Sequence, residues 1–335
     1  MRSHESDIDF VVLYVNGNDL EWQKKKAQYS PDFATDISPS RYRDWDIFKY
    51  WFRGVAKYAP WVRKIHLVTD NQAPEWLNAD NPYLHLVNHS DYMPNDALPV
   101  FNSNAIEAGI HKIQGMSEKF VLFNDDTILT DDIEDTYYYR DELPVDMAGF
   151  TRPQGDRFEN VFSRTIKNNY DVLNEYFDKR EVVRKNFWKF YNLSYGKTFV
   201  RTLLNSDRDK FDGIVMPHLS TPYLKNDFQK VWDKKKDLLT NTQHHKFRSE
   251  NDSTHLLFRW WRMCEGDFYP RRSLGKYFAL TDNASVDKAV KAIEKNKYPE
   301  ICLNDCWSDD RYEEAKEKIK SAFEKILPEK CEYEK

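Results

Sequence analysis

What this 335-residue sequence lacks narrows its chemistry before any motif is read. No apolar run approaches the roughly 20 residues that cross a bilayer; the longest early one, FVVLYV at 10–15, is far shorter. The opening MRSHESDID lacks the apolar core of a secretion signal. Neither a membrane span nor export is expected. The expectation is a cytoplasmic protein, with peripheral contact at the inner face of the membrane left open. Cysteine is scarce: Cys264, Cys302, Cys306 and Cys331 fall late and form no CxxC pair, which favours free thiols over a disulfide framework or a thiolate metal site. Positive charge is not in excess either. With 50 basic and 55 acidic residues, well mixed, and a net charge of -5, no global field for nucleic acid exists, although a local cationic pocket is not excluded. No GxxxxGK[ST] loop occurs and no GxGxxG follows the first strand, so any phosphate must be held by side-chain cations, a metal and short turns. The absence of a GxSxG elbow argues against a serine hydrolase.

What is present is enough for a large core: 40% of the residues are hydrophobic and 15% aromatic. Short β-rich runs at 10–15, 64–70, 83–89, 120–125 and 145–150 alternate with helical patterns. In RDWDIFKYWFRGVAKYAP, apolar residues from Ile47 to Tyr58 recur at helical spacing, and NSNAIEAGIHKI offers Asn102 or Ser103 as a cap with Ile106, Ile110 and Ile113 on one face. This alternation predicts an α/β fold, a mixed sheet with crossover helices. A helical insertion is expected over 156–205, and a remainder with two C-terminal amphipathic helices over 206–335, leaving 1–155 as the α/β half. Ligands of such sheets bind beyond the carboxyl ends of the strands. Four runs end there in polar groups: Asn16-Gly17-Asn18-Asp19, Thr69-Asp70, Asn88-His89 and Asn124-Asp125-Asp126. A shared rim is the expectation.

Asp125 and Asp126 close the run KFVLFNDD. Adjacent carboxylates at a strand end can hold Mg²⁺ or Mn²⁺ against phosphate oxygens, or one can take a proton from a hydroxyl nucleophile; a plain turn is the competing account. ICLNDC repeats the arrangement with Asn304 and Asp305, or equally is a capped turn ahead of the last helix. His218 follows Met216-Pro217, where a fixed backbone would hold an imidazole in one place. Arg248 precedes Asp252 by four residues, a spacing that on a helix lets a carboxylate brace a guanidinium for bidentate phosphate binding.

Taken in order, IDFVVLYVNGND, RYRDWDIFKYWFRGVAKYAPWVRKIHLVTDNQAPEWLN, LPVFNSNAIEAGIHKIQGMSEKFVLFNDD, MPHLSTPYLK with KFRSEND, and ICLND resemble the conserved regions of the Stealth family. That family comprises bacterial capsular and exopolysaccharide sugar-phosphate transferases and the catalytic core of the animal GlcNAc-1-phosphotransferase. The resemblance implies a GT-A-like, Rossmann-like fold and transfer of a hexose-1-phosphate or N-acetylhexosamine-1-phosphate from a UDP-sugar to a glycan hydroxyl, releasing UMP. It implies a divalent cation, Mg²⁺ or Mn²⁺, and as partners a UDP-sugar and a glycan acceptor, the latter expected against the 156–205 insertion, with peripheral association with the capsule assembly machinery left open and no nucleic acid. Asp125, Asp126, His218 and Arg248 are then the catalytic set, with Asp126, Asn304 and Asp305 toward the metal. Asp9, Asn16, Gly17 and Asp19 match the first motif and are assigned to the nucleotide end. Arg41, Asp46 and Arg53 match the second region as phosphate contacts or braces of the rim. Asn104 and Lys225 complete the substrate-binding set. The rival readings are a glycosyltransferase releasing UDP, a metal-dependent phosphodiesterase, and a carbohydrate-binding module exploiting the 10 Trp and 20 Tyr.

Overall fold

The computed structural model describes residues 6–30, 45–154, 160–307 and 312–335. Its strands are β1 (Ile8–Leu13), β2 (Lys64–Thr69), β3 (Leu84–Asn88), β4 (Lys119–Phe123), β5 (Thr127–Leu129), β6 (Tyr139–Arg140), β7 (Leu143–Asp146), β8 (Thr221–Leu224), β9 (Tyr269–Pro270), β10 (Lys276–Leu280) and β11 (Glu300–Asp305). The helices are α1 (Leu20–Tyr29), α2 (Phe48–Tyr58), α3 (Ser103–Ala108), α4 (Val161–Tyr176), α5 (Lys179–Lys185), α6 (Phe187–Phe190), α7 (Lys197–Leu203), α8 (Lys225–Lys234), α9 (Lys236–His244), α10 (Leu256–Glu265), α11 (Asn283–Glu294) and α12 (Tyr312–Ile326). The main sheet has the order β3-β2-β1-β4-β8. Its first four strands are parallel and β8 runs antiparallel to β4. The mixed sheet with crossover helices expected from the sequence is therefore present.

The strands are near-continuous apolar runs because both faces of the sheet are covered. Side chains alternate between two cores. Phe10, Val12, Leu67 and Phe123 face one core, shared with α2, α11 and α12, while Val11, Val68, Phe120 and Leu122 face a second, shared with α3, α4, α8 and α10. The helical stretch after residue 160 contributes Ile166, Tyr170, Leu173, Val182 and Phe190 to that second core. It is built into the body of the fold. The helical stretch VWDKKKDLLTNT is broken at Lys235 (φ -130°, ψ 40°), which separates α8 from α9.

Neighbouring β1 are β2 on one side and β4 on the other, so the chain order reverses between β1 and β4. A crevice opens beyond the carboxyl ends at such a reversal. Two small sheets complete the fold, one of which reaches the crevice through Asn304 and Asp305 of β11. In β10-β11-β5, β11 pairs antiparallel with β5; β6-β7-β9 forms the other.

Helix α2 lies close to β5 because Gly54 has no side chain: a Cβ there would meet the Leu129 carbonyl oxygen at 2.7 Å. A helical Gly→Ala change gains up to about 1 kcal/mol in propensity, but overpacking costs about 1–3 kcal/mol, and a backbone carbonyl in a sheet yields little. Gly54→Ala is expected to destabilise the fold by about 1–2 kcal/mol, measured by denaturant unfolding. A neutral or stabilising result would show that α2 can shift away from β5.

Candidate active site

The crevice is a cavity of about 690 Å³, and it gathers side chains from segments far apart in the chain. Tyr14 and Val15 enter after β1, Asp70 after β2, His89 after β3, and Asn124, Asp125 and Asp126 after β4. Three of the four expected polar endings thus share a rim, while β1 contributes Tyr14 and Val15 in place of the turn at 16–19. His218, Arg248, Asn304 and Asp305 line the same cavity.

Sheet register explains how two of these segments meet. The Asn124–Asp126 turn leads straight into β5, and β5 pairs antiparallel with β11, setting Thr127 opposite Cys302. Continuing that register, the Leu303 N–H donates to the Asp126 carbonyl at 2.9 Å, and Asn304 and Asp305 stand across from the acidic turn. ICLND is therefore the end of a strand, and the capped-turn alternative falls away. Asp126 is half-buried, and burial pushes its pKa above the ordinary carboxylate value, against hydrogen bonds from Thr127 and Cys302 and the nearby His218.

His218 has φ +50°, a left-handed conformation that an L-residue adopts at a cost. The segment holding it is anchored on both sides. Upstream, the Val215 carbonyl accepts from Arg259, whose guanidinium also binds the buried Asp146, itself paired with Arg262. Downstream, Ser220 donates to Glu300 and its hydroxyl is paired with Tyr138 at 3.0 Å. The imidazole opens to the cavity and lies 5.2 Å from the Tyr277 ring, whose hydroxyl accepts from Asn304 at 2.9 Å. Enclosure by the cleft lowers the His218 pKa below the usual imidazole value, with Asp126 acting in the other direction. At neutral pH the ring is uncharged and able to take a proton.

The brace expected for Arg248 takes another form. Residues 246–252 are not helical. Asp252 is fully buried and accepts from Asn102 (2.8 Å), Asn104 (3.2 Å) and the Ser249 N–H (3.0 Å), with His245 Nδ1 at 2.6 Å. It fastens the loop to the start of α3, where Arg248 donates to Ser103 Oγ at 2.8 Å. Stacking of Phe101 on Phe247 adds to the same join. Asn104 lines the cavity as expected, three residues before a group that the sequence reading passed over. Glu107 also lines the cavity; burial pushes its pKa up to about 7, while Arg248 pulls it down. Its signal was an acid at i+3 from Asn104, on the face that α3 turns inward.

Several expected site residues are not brought to the cavity. Asp9 is the second residue of β1, at the amino end of the sheet. It is fully buried there, held by Arg63 (2.8 Å), His66 (2.9 Å) and the Ser117 N–H (2.7 Å); against burial, these bonds keep its pKa low. Its place is structural, opposite the nucleotide end it was assigned to. Arg53 is buried on α2 and clamps the C-terminal segment, donating to Glu334 (2.7 Å) and the Leu327 carbonyl (2.8 Å). Lys225 starts α8 and donates to the Met116 carbonyl near the amino end of β4. Asp46 pairs with Lys320 at 2.7 Å. Asn16, Gly17 and Asp19 shape the turn after β1: Gln72 bonds Asn16 and Asp19, the Gly17 carbonyl accepts from Gln23, and Asp19 caps α1 just before Trp22, which does face the cavity. Arg41 lies outside the described residues.

Residues 41–145 match the family model for conserved region 2 of Stealth proteins. The chain is 38% identical over 332 residues to the capsular polysaccharide phosphotransferase WcwK of Streptococcus pneumoniae, covering 98% of both chains. The chain belongs to the Stealth family. Other Stealth relatives are the receptor polysaccharide phosphotransferase WefC of Streptococcus gordonii, 38% identical with 98% of each chain covered, and the exopolysaccharide phosphotransferase cps2G of Lactiplantibacillus plantarum, 38% identical with 98% and 96% covered. Among the described residues of this Stealth protein, no helix is long and apolar enough to cross a membrane.

The donor set near the acidic turn consists of oxygens: Asp125, Asp126, Asp305 and the Asn304 amide, all lining the cavity. Such donors suit hard cations. Among the described residues no group of three or more His, Cys, Asp or Glu forms a ready-made cage.

Proposed function

We propose that this Stealth protein transfers a sugar-1-phosphate, hexose or N-acetylhexosamine, from a UDP-sugar to a hydroxyl of a capsular or exopolysaccharide glycan. The observation that carries this reading is the convergence of Asp126, His218, Arg248 and Asp305 on one cavity of about 690 Å³, within the ~300–1,000 Å³ range of small-molecule sites. The relatives' names, all polysaccharide phosphotransferases, support the reaction class.

In this mechanism the acceptor oxygen attacks the β-phosphorus of the donor. The bond from that phosphorus to the bridging oxygen breaks, UMP leaves, and a phosphodiester joins sugar to glycan. Neutral His218 takes the hydroxyl proton, and the Asp126 carboxylate beside it stabilises the imidazolium that forms. Arg248 faces the phosphoryl oxygens, where its fixed charge counts most as negative charge spreads in the transition state. Asp126, Asn304 and Asp305 would hold a divalent cation, which when bound neutralises phosphate charge. Glu107, with a pKa near neutrality, offers either a donor or an acceptor to a sugar hydroxyl.

The test identifies the nucleotide released when the purified protein meets a panel of UDP-sugars, Mg²⁺ or Mn²⁺ and capsule-type oligosaccharides. The expected outcome is UMP in step with a phosphodiester-linked product, and only when the glycan is present. UDP as product would make the protein a glycosyltransferase, and UMP without an acceptor would make it a hydrolase.

A further inference from the structure

Between Glu181 and Asp207 the chain runs 25 residues without an acidic side chain, while Arg184, Lys185, Lys189, Lys197 and Arg201 fall within it. In a protein of net charge -5 this is a local reversal. The same stretch carries, among the described residues, the three most exposed large apolar side chains: Trp188 (78%), Leu193 (78%) and Leu204 (77%). Val200 and Leu203 are half-exposed on α7, and with Leu204 they follow the i, i+3, i+4 spacing of one outward stripe. Exposed Lys197 and Arg201 flank it.

This face is not a loosely held segment. On its inner side Thr202 accepts from the Phe150 N–H at 3.0 Å, the Tyr195 hydroxyl bonds the Ala148 N–H at 3.3 Å, and Phe199 packs with Met147, Tyr195 and Val215. One exposed leucine is ordinary, but several exposed apolar side chains between Trp188 and Leu204, interspersed with exposed Arg184, Lys197 and Arg201, mark a contact surface, while Lys185 pairs with Glu181 and Lys189 turns to the Gly266 and Phe268 carbonyls.

We propose that the α6–α7 face docks on an anionic phospholipid bilayer. Charge and apolarity together select that occupant. A second copy of the chain, joined through the same patch by a two-fold axis, would set these cations against themselves. A glycan would give valine and leucine little to bury against. A bilayer surface rewards both halves: Trp and Leu enter the boundary between headgroups and acyl chains, and Arg and Lys meet lipid phosphates. Val215, beneath α7, is three residues from His218, so a docked molecule holds its catalytic segment near the membrane.

The experiment sediments the full chain with vesicles of phosphatidylcholine alone or of equal parts phosphatidylcholine and phosphatidylglycerol, at low and high salt. Expected is binding to the mixed vesicles, little to the neutral ones, and release by salt. Trp188→Ser with Leu204→Ser, and separately Arg184→Gln with Lys197→Gln and Arg201→Gln, should each weaken binding at least about tenfold, with thermal midpoints unchanged. The proposal is overturned if the parent chain stays in solution with anionic vesicles or if both variants bind as the parent does. Light scattering that shows a dimer dissolved by the serine variant would also overturn it, assigning the patch to a second copy.

Discussion

Replacing His218 by Asn is expected to lower kcat by roughly 10²–10⁴, the usual contribution of a positioned proton acceptor. The fold should survive, because the ring opens to the cavity and Asn tolerates a left-handed backbone better than most residues. The pH profile separates this role from a merely structural one. Enclosure puts the His218 pKa below the usual imidazole value, so the parent enzyme should lose activity only as pH falls through that lowered value and stay level above it. The active form is the deprotonated one, so the limb rises with pH. In His218→Asn that limb should vanish from the residual rate or move to the titration of Asp126. An unchanged kcat with an unchanged acid limb removes His218 from the chemistry.

Arg248→Ala should cost roughly 10²–10³ in kcat, comparable to deleting one fixed donor from an oxyanion site. A larger share should fall on kcat than on KM, since charge on the phosphoryl oxygens is redistributed in the transition state and the guanidinium is held in advance. Its loop does not depend on the Arg248 side chain, because Asp252 ties it to Asn102 and Asn104. Arg248→Lys should restore little, as the bidentate fork is lost. If Arg248→Ala raises KM alone, the residue binds donor without acting on the transition state.

The body of the fold was legible because buried parallel strands are written as continuous apolar runs and their crossover helices as periodic ones. The acidic turn could be placed for the same reason: it ends such a run. Asp9 was misplaced by following the motif match alone, for it precedes the apolar run at 10–15 and so stands at the amino end of its strand, beside Lys64 and Phe120. Arg53 carries no mark of its partner Glu334, 281 positions away. The spacing of Arg248 and Asp252 was read through helical geometry, but the segment is a loop in which Asp252 serves as a hub. Glu107 looked like any acid on a short amphipathic helix, and its meaning came from the burial that α3 receives from α9 and the 246–252 loop.

The pairing of β5 with β11 has a consequence for the timing of synthesis. The acidic turn leaves the ribosome some 180 residues ahead of its Asn304-Asp305 counterpart, being centred on Asp125. Contacts so distant in sequence form late. A nascent chain therefore carries its acidic turn without the strand that faces it until β11 has been translated and has docked.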